Sequence, residues 1–242
     1  MLEQITPLDG AALLVFLAIW TGYSVLFDGR LRPHGSINAR MITIRYMWMV
    51  RMLGREMRMG DATLIGHSIR SGTFFASTTL LLLAGLVGVL GSAEQIHAAT
   101  VNLSVLFRGN PLALFELKVV VLVGIFVYAF FKFTWAIRQF NYFSGVIGSA
   151  PEADAGPVDT TFARRMATIL SQAFWQFNAG IRAYYFALAV LGWFIHPVAF
   201  MAASAVIAVV LAHRQLYSAT ACDIAEHAAS LSEPRVEGDR SG

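Results

Sequence analysis

An all-helical integral membrane protein with four transmembrane helices and amphipathic helices on its cytoplasmic side is the fold class that the sequence predicts, on three observations. The 242 residues are 57% hydrophobic and only 14% charged, too apolar for an ordinary soluble domain. Four apolar runs reach the length of about 20 residues that a bilayer core needs. The arginines crowd into the segments between these runs, as basic residues do on the cytoplasmic side.

The first span is expected over residues 8–27. Thr6, Pro7 and Asp9 supply a hydroxyl cap, a proline at the first helical position and an acid facing the positive end of the helix. Trp20 and Tyr23 mark its inner interface. The N-terminal MLEQITPLD is acidic and is followed by no small-residue cleavage signal, so this helix is expected to remain as an anchor.

Eight arginines against three acids lie between Asp28 and Arg70, which places that loop in the cytoplasm and the N-terminus outside. Within it, residues 38–60 read as an amphipathic helix. Arg40, Arg51, Arg55 and Arg58 share one arc, and Ile42, Tyr46, Met49, Leu53 and Met57 the opposite one. Such a helix suits an anionic inner leaflet. It equally suits packing of its methionines on the end of the bundle with the arginines solvated, because methionine fills irregular protein gaps.

Residues 72–90 form the second expected span, entered from Arg70, with Ser77, Ala84 and Gly88 on a small-residue face. A poorly charged loop holding Arg108 leads to Asn110-Pro111, a second cap and proline, and then to the third span at 115–136. This third span contains Lys132, with Glu116 and Lys118 at its start and Arg138 just past its end. Glu116 and Lys118 point away from each other on a helix and read as outer-interface markers rather than a pair. After the loop SAPEADAGPVDTT, a second amphipathic helix is expected at 161–178 and a fourth span at 184–211, opened by Arg182. The latter exceeds a perpendicular crossing and is expected to tilt or kink at His196-Pro197. Residues 1–215 form a single domain in this reading, and 216–242 a polar, flexible tail. Twelve basic residues then fall inside and five outside (Arg108, Lys118, Arg214, Arg235 and Arg240), with Lys132 in the membrane and both termini external.

The order of span, amphipathic loop, interfacial arginine and span occurs twice. Ile69-Arg70 with Phe74 loosely echoes Ile181-Arg182 with Phe186, as a parallel duplication would.

Four cations are candidates for holding an anion or lipid headgroup: Arg70, Lys132, Arg138 and Arg182. An intramembrane cation is costly and calls for a function, and facing third and fourth spans would gather Arg70, Lys132 and Arg182 into a basic cup. The competing account lets Lys132 snorkel to the interface while the arginines set topology. Arg40, Arg51, Arg55 and Arg58 are the candidates for the inner-leaflet surface. His196 is either a proton-responsive group or the partner of a carbonyl freed by Pro197. A single cysteine, Cys222, and the absence of paired ligand spacing argue against disulfide, metal or redox roles. No nucleophile and base pair, phosphate loop or carboxylate pair stands out, so neither a catalytic residue nor a cofactor is expected.

Several long strings give the chain a wider resemblance: Trp48-Met49 with Arg51-Met52-Leu53, Phe74 to Thr79, Glu116-Leu117-Lys118, Tyr128 to Trp135, Arg138 to Asn141, and Phe177-Asn178 with Ile181 to Phe186. These resemble the bacterial domain-of-unknown-function family 599 over most of residues 8–215. The resemblance implies a multi-span inner-membrane protein and supplies no activity or site residues. The functional expectation is a non-enzymatic scaffold or accessory subunit that engages anionic lipid or partner proteins through a basic cytoplasmic layer. The alternative is an oligomeric transporter or channel for a small anion or proton-coupled solute. Membrane lipids, a homo-oligomer or a larger membrane complex are the expected partners, and nucleic acid is not.

Overall fold

The computed structural model describes residues 6–28, 36–103, 111–153 and 156–232. It is all-helical, and no strand occurs among the described residues. The helices are α1 (Pro7–Asp28), α2 (Ile37–Leu53), α3 (Met59–Gly91), α4 (Ala93–Leu103), α5 (Leu112–Gly148), α6 (Thr160–Ile195), α7 (Pro197–Leu216) and α8 (Ala219–Ser232). Four segments are long and apolar enough to cross a membrane: α1, α3, α5 and the run Pro197–Leu231 that begins with α7.

The helix starts follow the expected chemistry. Thr6 Oγ1 accepts from the Asp9 backbone N–H at 3.2 Å and donates to Asp9 Oδ2 at 2.5 Å, closing the first turn of α1. Asp159, which the sequence offered only as part of a loop, caps α6 by accepting from the backbone N–H groups of Thr161 and Phe162 at 2.8 and 3.0 Å. Asn110, the other expected cap, lies outside the described residues, as do Arg108, Arg235 and Arg240.

The expected fourth span over 184–211 is overturned. The expected helix at 161–178 runs on without interruption to Ile195 as α6, and the chain then reverses at His196 so that α7 packs back along α6. Three local features impose the reversal. His196 is extended (φ −162°, ψ 143°), as a residue before proline prefers, and its Nδ1 accepts from the Val198 N–H at 3.1 Å. Pro197 stands at the first position of α7, where its missing N–H costs nothing. Gly192 lets the returning backbone come close, since a Cβ there would lie 3.2 Å from the Ala199 carbonyl oxygen. The Trp193 and Phe200 rings stack across the turn with centroids 5.0 Å apart. His196 therefore sits exposed at a turn and not mid-span.

Two more expectations change. The helix placed at 38–60 stops at Leu53, so Arg55 and Arg58 do not continue its basic arc. The tail from residue 216 was expected to be flexible, yet α8 occupies 219–232 and packs on α2. Ser218 caps it by accepting from the Ala221 N–H at 3.2 Å, and Ala221 and Ala228, two turns apart, are its buried positions. Because α7 returns, the described chain starts and finishes at opposite ends of the bundle instead of on one side.

Three apolar clusters stack along the bundle. The middle one gathers Phe16, Leu122, Ile125, Phe133, Phe186, Val190 and Phe200 from α1, α5, α6 and α7. At the α2 end, Met49, Met52, Phe140, Phe143, Met166 and Leu170 form a second, so Met49 and Met52 pack into the bundle, whereas Met57 of the expected apolar arc is exposed. At the other end, Ala93, Phe115 and Val119 form the third. Two glycines set the close approaches: a Cβ on Gly180 would fall 2.6 Å from the Phe133 ring, and one on Gly72 2.9 Å from Ile137.

Candidate functional site

At the α2 and α8 end, α6 and α7 diverge above α1 and leave a polar cavity of about 380 Å³. Helix α6 presents Asn178, Ile181, Arg182 and Tyr185 to it, spaced three to four residues apart and so on one face. The last turns of α7 add Leu211, Arg214 and Gln215. Tyr23 comes from α1, Ile37 and Asn38 from the start of α2, and Ser218 and Thr220 from the start of α8. The Ser36 cap, whose Oγ accepts from the Ala39 N–H at 3.4 Å, fixes the α2 end that carries Asn38.

The electrostatics of this cavity are one-sided. Two guanidinium groups line it, those of Arg182 and Arg214, and no acidic residue does among the described residues. Arg182 is buried and stands over the Tyr23 ring at 5.4 Å. Arg214 donates to the Tyr185 hydroxyl at 3.4 Å. Asn178 donates to Asn38 Oδ1 at 3.5 Å, while Asn38 Nδ2 and Gln215 Oε1 find no hydrogen-bond partner among the described residues. Asn38 is only 5% exposed, and a buried amide left unsatisfied is costly without something to bond. The arrangement is rich in donors and positive, which is the chemistry that binds a phosphate or carboxylate.

Arg70, Lys132 and Arg182 do not come together as a cup. Arg70 is exposed on α3. Lys132 donates to Gln176 Oε1 at 2.9 Å and lies over the Tyr128 ring at 5.3 Å. Arg138 donates to the Tyr142 hydroxyl one turn further along α5, at 2.7 Å. None of these three lines the cavity. The sequence echo likewise places equivalent positions in different surroundings: Arg70 and Phe74 are exposed, whereas Arg182 and Phe186 are buried.

Three of the four surface candidates bond to other parts of the chain. Arg55 pairs with Asp61, Nη1 to Oδ1 at 2.7 Å, and Trp48 donates to the same carboxylate at 2.6 Å. Arg58 donates to the carbonyls of Leu53, Ala150 and Pro151, covering the last turn of α2. Arg40 donates to the Ala225 carbonyl of α8 at 3.4 Å. Arg51 is exposed.

Sequence reasoning missed Arg214, which only the return of α7 brings to Arg182, Asn38, which the packing of α2 on α6 supplies, and Tyr185, one turn from Arg182 on the same face of α6. It also missed Arg45, which is buried, donates to Ser171 Oγ at 3.2 Å and lies 4.5 Å from the Phe174 centroid. Burial pushes its guanidinium down to about 10. Its position off the arc of the other α2 arginines was the signal that could have found it.

The opposite end carries a second polar constellation of another kind. Asp9 Oδ1 accepts from Trp193 Nε1 at 2.8 Å. Lys118, fully buried on α5, lies 5.7 Å from both the Trp193 and Phe194 rings and feels the Asp9 carboxylate. Among the described residues no three His, Cys, Asp or Glu side chains assemble as a metal site would need.

The fold and its polar cavity define an all-helical protein with four segments able to cross a membrane. The chain belongs to the family described as protein of unknown function, DUF599, whose profile matches residues 11–220. No curated protein and no solved structure matches it.

Proposed function

We propose that this protein is a non-enzymatic, multi-pass component of a bacterial inner membrane that holds an anionic phosphate or carboxylate group in the cavity of Arg182 and Arg214. It then acts as a scaffold or accessory subunit, with the anion bound at its cytoplasmic face. The single observation that carries the reading is the pair of guanidiniums, joined by the unsatisfied amide of Asn38, in a cavity lined by no acid among the described residues. In this topology the four apolar segments, α1, α3, α5 and the run that begins with α7, cross, and α6 carries the chain back across between α5 and α7. The N-terminus lies outside, and α2, α8 and the arginine-rich loops lie inside. The return of α7 supports this orientation by adding Arg214 to the basic end.

The test is thermal unfolding of the purified protein in neutral detergent with inorganic phosphate or glycerol phosphate, against chloride at equal ionic strength. A ligand that binds only the folded state raises its stability in proportion to RT ln(1 + [L]/Kd). Phosphate or glycerol phosphate should raise the midpoint in the wild type, and the double variant Arg182→Gln/Arg214→Gln should lose that response. An equal response in the double variant would end the reading.

A further inference from the structure

The anion cavity does not stand alone along the bundle. Beside it, between α3 and α6 and floored by α5, lies an almost wholly apolar groove of about 530 Å³, lined by Leu82, Leu86, Phe126, Leu188 and Leu191 among others. Ile181 and Tyr185 line both the cavity and this groove. The two spaces are therefore adjacent across a single pair of α6 side chains, with the Tyr185 hydroxyl held by Arg214 at the rim.

The direction of the groove is informative. Its lining on α3 runs from Phe75 to Leu86 and on α6 from Ile181 to Leu191, in both cases away from the α2 and α8 end where the arginines sit. At a rise of 1.5 Å per residue, the α3 wall alone extends about 16 Å. That is about the full depth of one leaflet of a hydrocarbon core about 30 Å thick. Leu188 and Leu191 are exposed on its wall, so the groove opens sideways, where an apolar chain can enter.

Resting on the anion-binding reading above, we infer that the ligand is an anionic phospholipid, with its phosphate between Arg182 and Arg214 and one acyl chain along the groove between α3 and α6. The polar cavity gives charge selectivity and the groove gives chain affinity. Tyr185 divides the two, an aromatic with one apolar face and one polar tip at the level where head and tail join.

Native mass spectrometry of the full chain, released from detergent after incubation with phosphatidylglycerol or phosphatidylcholine, tests this with two kinds of variant. Leu188→Trp and Leu191→Trp place a ring in the groove from exposed positions, and Arg182→Gln/Arg214→Gln removes the charges. The wild type is expected to retain phosphatidylglycerol over phosphatidylcholine. The tryptophan variants should lose about tenfold in retained phosphatidylglycerol while keeping the stabilisation by glycerol phosphate. Full retention in both tryptophan variants would overturn the groove assignment and leave the anion reading standing. A shift from dimer to monomer in the tryptophan variants, with lipid retention unchanged, would assign the groove to a second copy and equally overturn it. A wild type indifferent both to lipid charge and to glycerol phosphate would remove the anion reading and this inference with it.

Discussion

The two ends of the bundle use similar residues to opposite effect. At the Trp193 end a buried base and a buried acid, Lys118 and Asp9, both meet Trp193, and the carboxylate acts on the ammonium through its charge. At the α2 end two arginines face an open cavity that holds no acid among the described residues. A charge taken out of water costs several kcal/mol unless a partner repays it, so the first end works as a clasp between α1, α5 and α6. The second end sets its positive groups beside open space, where an arriving anion can meet them. What separates a structural cation from a binding one here is access to that space, not depth in the fold.

Asp9→Leu breaks this contrast most sharply. It leaves Lys118 buried without its carboxylate and Trp193 Nε1 without its acceptor, and should cost about 3–5 kcal/mol, read as a large drop in the thermal midpoint in detergent. Adding Lys118→Leu should recover a good part of that loss, since no charge then remains buried. A double variant as unstable as the single one would show that the two residues do not act as a unit.

Next in size is the seam joining the two ends. Gly180→Ala drives a methyl group into the fully buried Phe133 ring, and overpacking of this kind costs about 1–3 kcal/mol. Gly180→Ala combined with Phe133→Leu should be more stable than Gly180→Ala alone. A midpoint lower still in the combined variant would put the ring elsewhere.

Much of the fold was legible because its signals are local. Apolar runs and the Thr6-Pro7 start each announce a helix within a few residues. The reversal at His196 was not legible in the same way. An X-Pro step inside a long apolar run reads equally as a kink or a turn, and what decides is the absence of a side chain at Gly192 together with the Trp193 and Phe200 stack. The second half of the site's lining followed from that single decision. Arg182 could be singled out from its own helix, but Arg214 lies beyond the expected end of the span and reaches Arg182 only because α7 folds back. The capped alanine stripe of α8 was readable in Ser218, Ala221 and Ala228, and was hidden by the polar composition around it.

Arg45 offers a smaller effect, with a sign set by pH. Its folded guanidinium is lowered to about 10 by burial, below its ordinary value, so the folded state releases this proton first. The resulting penalty is present in full at neutral pH and is relieved only as pH rises above about 10. Arg45→Met keeps the volume and removes the charge. Stability at pH 7 should be unchanged or about 1 kcal/mol higher, and the wild type alone should gain stability relative to the variant in alkaline solution. A marked loss at pH 7 would make the bond to Ser171 and the contact with Phe174 worth more than the desolvation they offset.

The smallest stability effect belongs to the open end, and there it is the informative one. Arg214 is exposed and its bond to Tyr185 is long at 3.4 Å, so Arg214→Gln should change stability by no more than about 0.5 kcal/mol. The same substitution should nevertheless abolish most of the stabilisation that glycerol phosphate gives the wild type, because it halves the charge facing the cavity. Asp9→Leu should do the reverse, lowering the midpoint while leaving the glycerol phosphate increment in place, since the α1 clasp is remote from Arg182. If Arg214→Gln instead destabilised the protein and left the increment intact, Arg214 would belong with Lys118 as a structural cation, and the difference between the two ends would disappear.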